Sequence, residues 1–188
     1  MLYPSDSGVA IERGKTCNIE WTSNLPKGAK VRIELVKRSG GTWTLSTGAA
    51  KSPLKWTVGK WNSKTQAVYL DGDDYKIQVS TLSGSASDES DNDFSIGTVD
   101  SLAVTGSTSV TGGSTAQYTC TAHYSFGADR DVTNEVKWSC SKVKGVKIGK
   151  TGLLTTAPLT VDQPCTITAA YGKGKPPIAG MLVITITP

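Results

Sequence analysis

Histidine is almost absent from this sequence: the 188 residues include one, at position 123. Mechanisms that need several histidine ligands, or a histidine base beside a second histidine, are excluded on that count. No apolar run approaches the roughly 20 residues that cross a bilayer as a helix, and no window sustains an apolar stripe of period 3.6. Direct membrane insertion and a helical fold are both unexpected. The start, MLYPSDSG, lacks a basic segment followed by an apolar stretch, so no export signal is visible there. Strong charge of one sign is missing too. The net charge is +4, too small in either half to point to nucleic acid. No serine nucleophile elbow, phosphate-cradling glycine loop or metal-spaced cysteine pair occurs. The chain is expected not to be an enzyme and to need neither cofactor nor metal.

What is present suits strands. Hydrophobic residues make up 37% of the chain, glycines number 20, and mean hydropathy is -0.21. A soluble all-β fold of short strands and tight turns follows. Alternation is clear in TCNIEWT (16–22), VRIELVK (31–37), LKWTV (54–58), AVYL (67–70), DYKIQVST (74–81) and DFSIG (93–97). It puts Cys17, Ile19 and Trp21, then Val31, Ile33 and Leu35, then Tyr75, Ile77 and Val79 inward, with Arg32, Glu34, Lys76 and Gln78 outward. The second half repeats the design in SLAVTG (101–106), TAQYTCTAHY (115–124), EVKWSC (135–140), GVKIG (145–149), GLLTT (152–156), CTITAAY (165–171) and MLVITIT (181–187). About seven short strands per half, with turns every 8 to 12 residues, make two sandwiches.

The boundary falls between residues 97 and 98, giving domains 1–97 and 98–188. Only GTVD (97–100) separates them. Without a proline-rich or Gly/Ser-rich spacer, limited hinge freedom and an elongated, monomeric, end-to-end pair are expected. SGSASDESDND (83–93) is too polar to bury and is expected to be a mobile hairpin loop.

Longer motifs carry two family resemblances. VDSLAVTGSTSVTGGSTAQYTCTA, DVTNEVKWSCS, GKTGLLTT and CTITAAYG follow one another as in the group 2 bacterial Ig-like domains, and residues 99–187 resemble that family of surface and phage structural proteins. GKTCNIEWTS, VRIELVK, LKWTV, GDDYKIQVST and SDNDFSIG make residues 3–97 similar to the Ig-like domain of fungal Ser/Thr-rich GPI-anchored and cell-wall glucan-assembly proteins. The resemblances imply two tandem immunoglobulin-like β-sandwiches. They also imply secreted or cell-surface display, with a stalk, spacer or adhesion role in a larger bacterial protein and a surface glycan or protein as partner.

Individual residues sharpen that expectation. Trp21 and Trp138 fall on inward faces and are expected to anchor the two cores, with Trp56 on another inward face. Trp43 in GGTWTLSTG and Trp61 in VGKWNSK lie beside turn signals, where paired exposed indoles would stack against a sugar ring. These two are the candidate ligand-binding residues, and they carry the alternative role of carbohydrate-binding accessory to a polysaccharide-active enzyme. His123 is expected to face solvent, and Lys142, Lys144, Lys147 and Lys150 to form a solvated face. The acidic groups Asp71, Asp73 and Asp74, and Asp88, Asp91 and Asp93, do not fit an EF-hand spacing and are expected in solvated turns, with calcium between loops left open. Cys17 has no partner in its half and suits a buried small hydrophobe. If VKWSC and CTITAA pair antiparallel with Trp138 against Ile167, Cys140 faces Cys165, the leading disulfide candidate. Cys120 with Cys165 is the alternative, by similarity to the inter-sheet bridge of antibody domains.

Overall fold

A computed structural model describes residues 2–4, 9–61, 65–66, 71–172 and 176–188, with backbone alone at 2, 60, 61, 65 and 66. Every regular element among them is a strand. The chain divides into two compact units, one of Met1–Thr98 with Ser125–Ala128, the other of Val99–Tyr124 with Asp129–Pro188.

The first unit contains β1 (Leu2–Tyr3), β2 (Ala10–Glu12), β3 (Thr16–Trp21), β4 (Val31–Lys37), β5 (Thr42–Ala49), β6 (Leu54–Thr57), β7 (Lys60–Trp61), β8 (Thr65–Gln66), β9 (Gly72–Thr81), β10 (Ser87–Glu89) and β11 (Phe94–Gly97). One sheet has the order β1-β3-β6, and the other β2-β11-β9-β4-β5 with β10 also on β9. Strands β7 and β8 pair with each other. Along β3, Cys17, Ile19 and Trp21 are buried while Thr16, Asn18 and Glu20 are exposed. The period-2 rhythm therefore fixes which face meets the core, since a one-residue slip would turn every apolar side chain outward. These residues meet Ile33, Leu35, Trp56, Tyr75, Ile77, Phe94 and Ile96 in one core. Complete burial of Ile19, Ile33, Leu35 and Ile77 favours folding by about 1.5 to 3 kcal/mol per side chain.

Two local expectations are corrected. TWTLSTGA, which lies beside turn signals and is not among the expected strands, is an eight-residue strand beside β4. SGSASDESDND is only partly loop, because Ser87, Asp88 and Glu89 pair with Ser80, Val79 and Gln78. Chain polarity misleads here because the stretch is held through its backbone. Lys76 Nζ donates to the carbonyls of Ser90 (2.7 Å) and Asp91 (3.2 Å), and the fully buried Ser90 accepts the Ile77 N–H on Oγ (3.2 Å). Lys76, expected outward, is thereby covered. The strand expected over 67–70 lies outside the described residues.

The second unit contains β12 (Val99–Thr105), β13 (Ser109–Thr111), β14 (Thr115–Gln117), β15 (Thr119–Tyr124), β16 (Arg130–Asp131), β17 (Lys137–Cys140), β18 (Lys147–Ile148), β19 (Leu153–Thr155), β20 (Gln163–Tyr171) and β21 (Ile178–Thr187). Its sheets run β13-β21-β20-β17, β12-β15-β16 and β14-β19-β18. They enclose a separate core that includes Tyr118, Cys120, Trp138, Leu154, Cys165, Ile167, Ile184 and Ile186.

A chain of polar contacts explains the DVT motif ahead of the tryptophan strand. Asp131 Oδ1 accepts the Thr133 N–H (2.8 Å), Thr133 Oγ1 accepts the Cys120 N–H (2.9 Å), and the Thr133 carbonyl accepts Trp138 Nε1–H (2.8 Å). Hydrogen bonds from Thr133 hold the Asp131 carboxyl below its usual range. At the other end of the core, Tyr118 Oη donates to the Ser107 carbonyl (2.7 Å), and a Cβ on Gly106 would overlap the Tyr118 ring.

Candidate functional site

The tryptophans named from sequence divide cleanly. Trp21, Trp56 and Trp138 are buried, at 9%, 4% and 8% exposure. Trp43 lies on β5, half-buried against the first core, with its ring 6.4 Å from that of Tyr75 and tilted by 46°. Gly41 (φ +118°) also lies against it, since a Cβ there would come 2.5 Å from the indole. Lys37 Nζ sits 5.2 Å from the Tyr75 ring centre and 3.7 Å from Asp74 Oδ1. Trp43 is thus a half-buried aromatic on an edge strand, packed between Gly41 and the first core. The Trp61 side chain lies outside the described residues.

Three carboxylates of the acidic stretches meet neighbouring cations or donors. Asp71 Oδ1 meets the Arg13 guanidinium, and its Oδ2 accepts from Ser125 Oγ (2.6 Å) and Thr98 Oγ1 (3.3 Å), all within the first unit. Asp93 Oδ1 lies 2.9 Å from Arg38 Nε without an aligned hydrogen bond, so the contact is electrostatic. Burial works to raise the Asp74 pKa, but hydrogen bonds from Ser39 and the Lys37 charge outweigh it and hold the carboxyl below its usual range. Asp73, Asp88 and Asp91 are exposed or carry no such cation, and among the described residues no three His, Cys, Asp or Glu side chains converge as a metal site.

Two concavities were not legible in the sequence. At one end of the first unit, segments 21–25 and 79–88 surround a hollow of about 180 Å³. Trp21, Leu25, Thr22, Asn24, Ser80 and Asp88 are among the residues that line it. The hairpin beside it is organised by its own hydroxyls: Ser83 Oγ and Ser85 Oγ are 2.8 Å apart, and each lies 3.2 Å from Thr81 Oγ1. Such a hollow is smaller than the roughly 300 Å³ of a drug-sized pocket and is lined by hydroxyl and amide groups, the Asp88 carboxylate and apolar side chains. In the second unit a groove of about 450 Å³ runs along Trp138, between Asn134, Glu135, Lys137, Ile148 and Lys150.

A polar cluster on the second unit also escaped sequence reading, because its members are far apart in the chain. Arg130 reaches Glu135 through Nη1 (3.1 Å) and Nη2 (3.3 Å), Tyr171 Oη (3.2 Å) and Tyr124 Oη (3.1 Å). His123 Nδ1 lies 2.7 Å from Asp129 Oδ2, at a half-exposed position. The cluster ties the β15–β16 hairpin to the end of β20, and the guanidinium already occupies the carboxylate.

All four cysteines are free thiols. The proposed strand pairing is present, but its register differs by two residues: Trp138 faces Ala169 and Cys140 faces Ile167. Cys165 is therefore a diagonal rather than a direct neighbour of Cys140. Backbone bonding fixes this offset, since Ser141 N–H donates to the Thr166 carbonyl (2.9 Å) while Ser141 Oγ accepts the Thr166 N–H (3.0 Å). Cys17 is buried as expected, and burial followed by the Glu20 charge pushes its thiol up to about 11. Compared with known proteins, the chain matches no family model and no curated protein.

Proposed function

We propose that this chain is a non-catalytic pair of immunoglobulin-like β-sandwiches serving as a spacer or adhesion segment of a larger extracellular or cell-surface protein. One observation carries the proposal, the strand scheme common to both units. In each, the first strand is split: its first part runs antiparallel to the next long strand, β1 on β3 and β12 on β15, and its second part crosses to run parallel to the last strand, β2 on β11 and β13 on β21. In the second unit the remaining ladders join β14 to β19 to β18, and β17 to β20 to β21. These ladders support an immunoglobulin-like reading, with Trp138 on the third strand where that fold places its tryptophan. The motif resemblance of residues 99–187 to group 2 bacterial Ig-like domains supports the same conclusion.

A spacer must hold its length under load. Single-molecule pulling on the intact chain is expected to give two discrete unfolding steps, each releasing on the order of 300 Å for a unit of about 90 residues. A single step, or turnover in a broad hydrolase screen, would overturn the proposal. A carbohydrate-binding accessory role is the second reading, favoured by the hydroxyl-lined hollow at Trp21. A glycan array is its test: binding abolished by Asn24→Ala and Asp88→Ala supports it, and an array without hits removes it.

A further inference from the structure

We propose that Cys140 and Cys165 form a latent cross-strand disulfide site, closed by a disulfide oxidant and reopened by thiols. The register sets Cys140 opposite Ile167 and one diagonal step from Cys165. Both side chains lie on the inner face, in phase with Trp138 on one strand and Ile167 on the other. Diagonal neighbours in an antiparallel pair stand about 7 to 8 Å apart, and disulfides usually span Cα separations up to about 6.8 Å. The adjustment needed is small, and it falls where the chain can yield: β17 is the edge strand of its sheet and ends at Cys140. Cys140 packs against the core that contains Cys165.

Access singles out the same pair. Cys17, Cys120 and Cys165 are buried, while Cys140 is partly exposed. An oxidant therefore meets Cys140 first. The Cys140 thiolate attacks one sulfur of the oxidant's disulfide and expels a thiolate, leaving a mixed disulfide. Cys165 then loses its proton, attacks the Cys140 sulfur and expels the second thiolate. Two electrons and two protons leave the protein, and the oxidant departs as two thiols. Burial, and then the neighbouring Cys165, raise the Cys140 pKa, so closure should accelerate as pH rises. Cys120 on β15 is fully buried, and burial pushes its thiol up to about 11, so an external oxidant reaches it less readily than Cys140.

The test is incubation of the intact chain with oxidised glutathione at mildly alkaline pH, alkylation of the remaining thiols, and tryptic mapping without reduction. Peptide 138–142 joined to peptide 151–173, with Cys17 and Cys120 alkylated, is the expected result. Peptide 77–130 joined to 151–173 would mean a Cys120–Cys165 bridge and overturn the proposal, as would four alkylated thiols. Cys120→Ser is expected to leave the cross-link intact and Cys140→Ser to abolish it. Should either variant fold poorly, the map of the unmodified sequence still decides. Oxidation is also expected to raise the melting temperature of the second unit by about 10 °C, reversibly with dithiothreitol.

Discussion

The two units share a strand scheme and anchor it differently. The first fills its core with aromatic rings from four strands, Trp21, Trp56, Tyr75 and Phe94, and covers Lys76 with the carbonyls of Ser90 and Asp91. The second buries Tyr118, Trp138 and Tyr171, with Trp138 bonded to the Thr133 carbonyl and Tyr118 to the Ser107 carbonyl, and three thiols in or against the core. One topology thus tolerates two kinds of core, because topology asks only for inward apolar residues at period 2. In the second unit the core rings are bonded to the carbonyls of Thr133 and Ser107, which couples core packing to those segments.

Removing a ring from each core breaks the comparison most strongly. Trp56→Ala and Trp138→Ala are each expected to cost about 3 to 5 kcal/mol in their own unit, read by peptide-resolved hydrogen exchange in urea. Loss of protection in both units from one substitution would contradict separate cores. Next in size is Lys76→Met, which leaves the Ser90 and Asp91 carbonyls without their ammonium donor. A cost of about 1 to 3 kcal/mol is expected, confined to the first unit in equilibrium urea titrations. Tyr118→Phe removes only the bond to the Ser107 carbonyl and should cost the second unit about 1 kcal/mol.

The smallest effect concerns acid. Asp131 in the second unit and Asp74 in the first both have pKa values lowered in the folded state. Each therefore contributes stability above the unfolded carboxylate pKa of about 3.9, and that contribution is lost as pH falls through the folded value. Asp131→Asn should flatten the acid limb of the second unit's melting curve and leave the first unit's limb unchanged. An identical acid limb in the variant would show that the Thr133 hydrogen bonds carry no linkage.

Strand existence was legible because alternation is local. Val31 to Lys37 was read to the residue, and β3 to within one. Register was not legible: Trp138 against Ile167 and Trp138 against Ala169 both keep the apolar faces inward, and the choice falls to backbone bonding at Ser141 and Thr166. The strand at Ser87–Glu89 was missed because all three side chains are exposed and polar, so no apolar rhythm announces a segment held by its ladder with β9. Trp43 is singled out by residue type and lies half-buried on β5, whereas the hollow lined by Trp21 joins segments more than fifty residues apart and has no sequence signature.

By itself the order of residues determined that this chain is built of strands, which side chains turn inward, and where the buried indoles at 21 and 138 lie, because each of these depends on neighbours two residues away. Tertiary structure alone decided which strands are adjacent and by what offset, how Lys76 and Asp131 are used, and which thiols come within reach of each other. Those outcomes depend on contacts between distant segments, where several arrangements bury the same apolar surface and hydrogen-bond geometry selects among them.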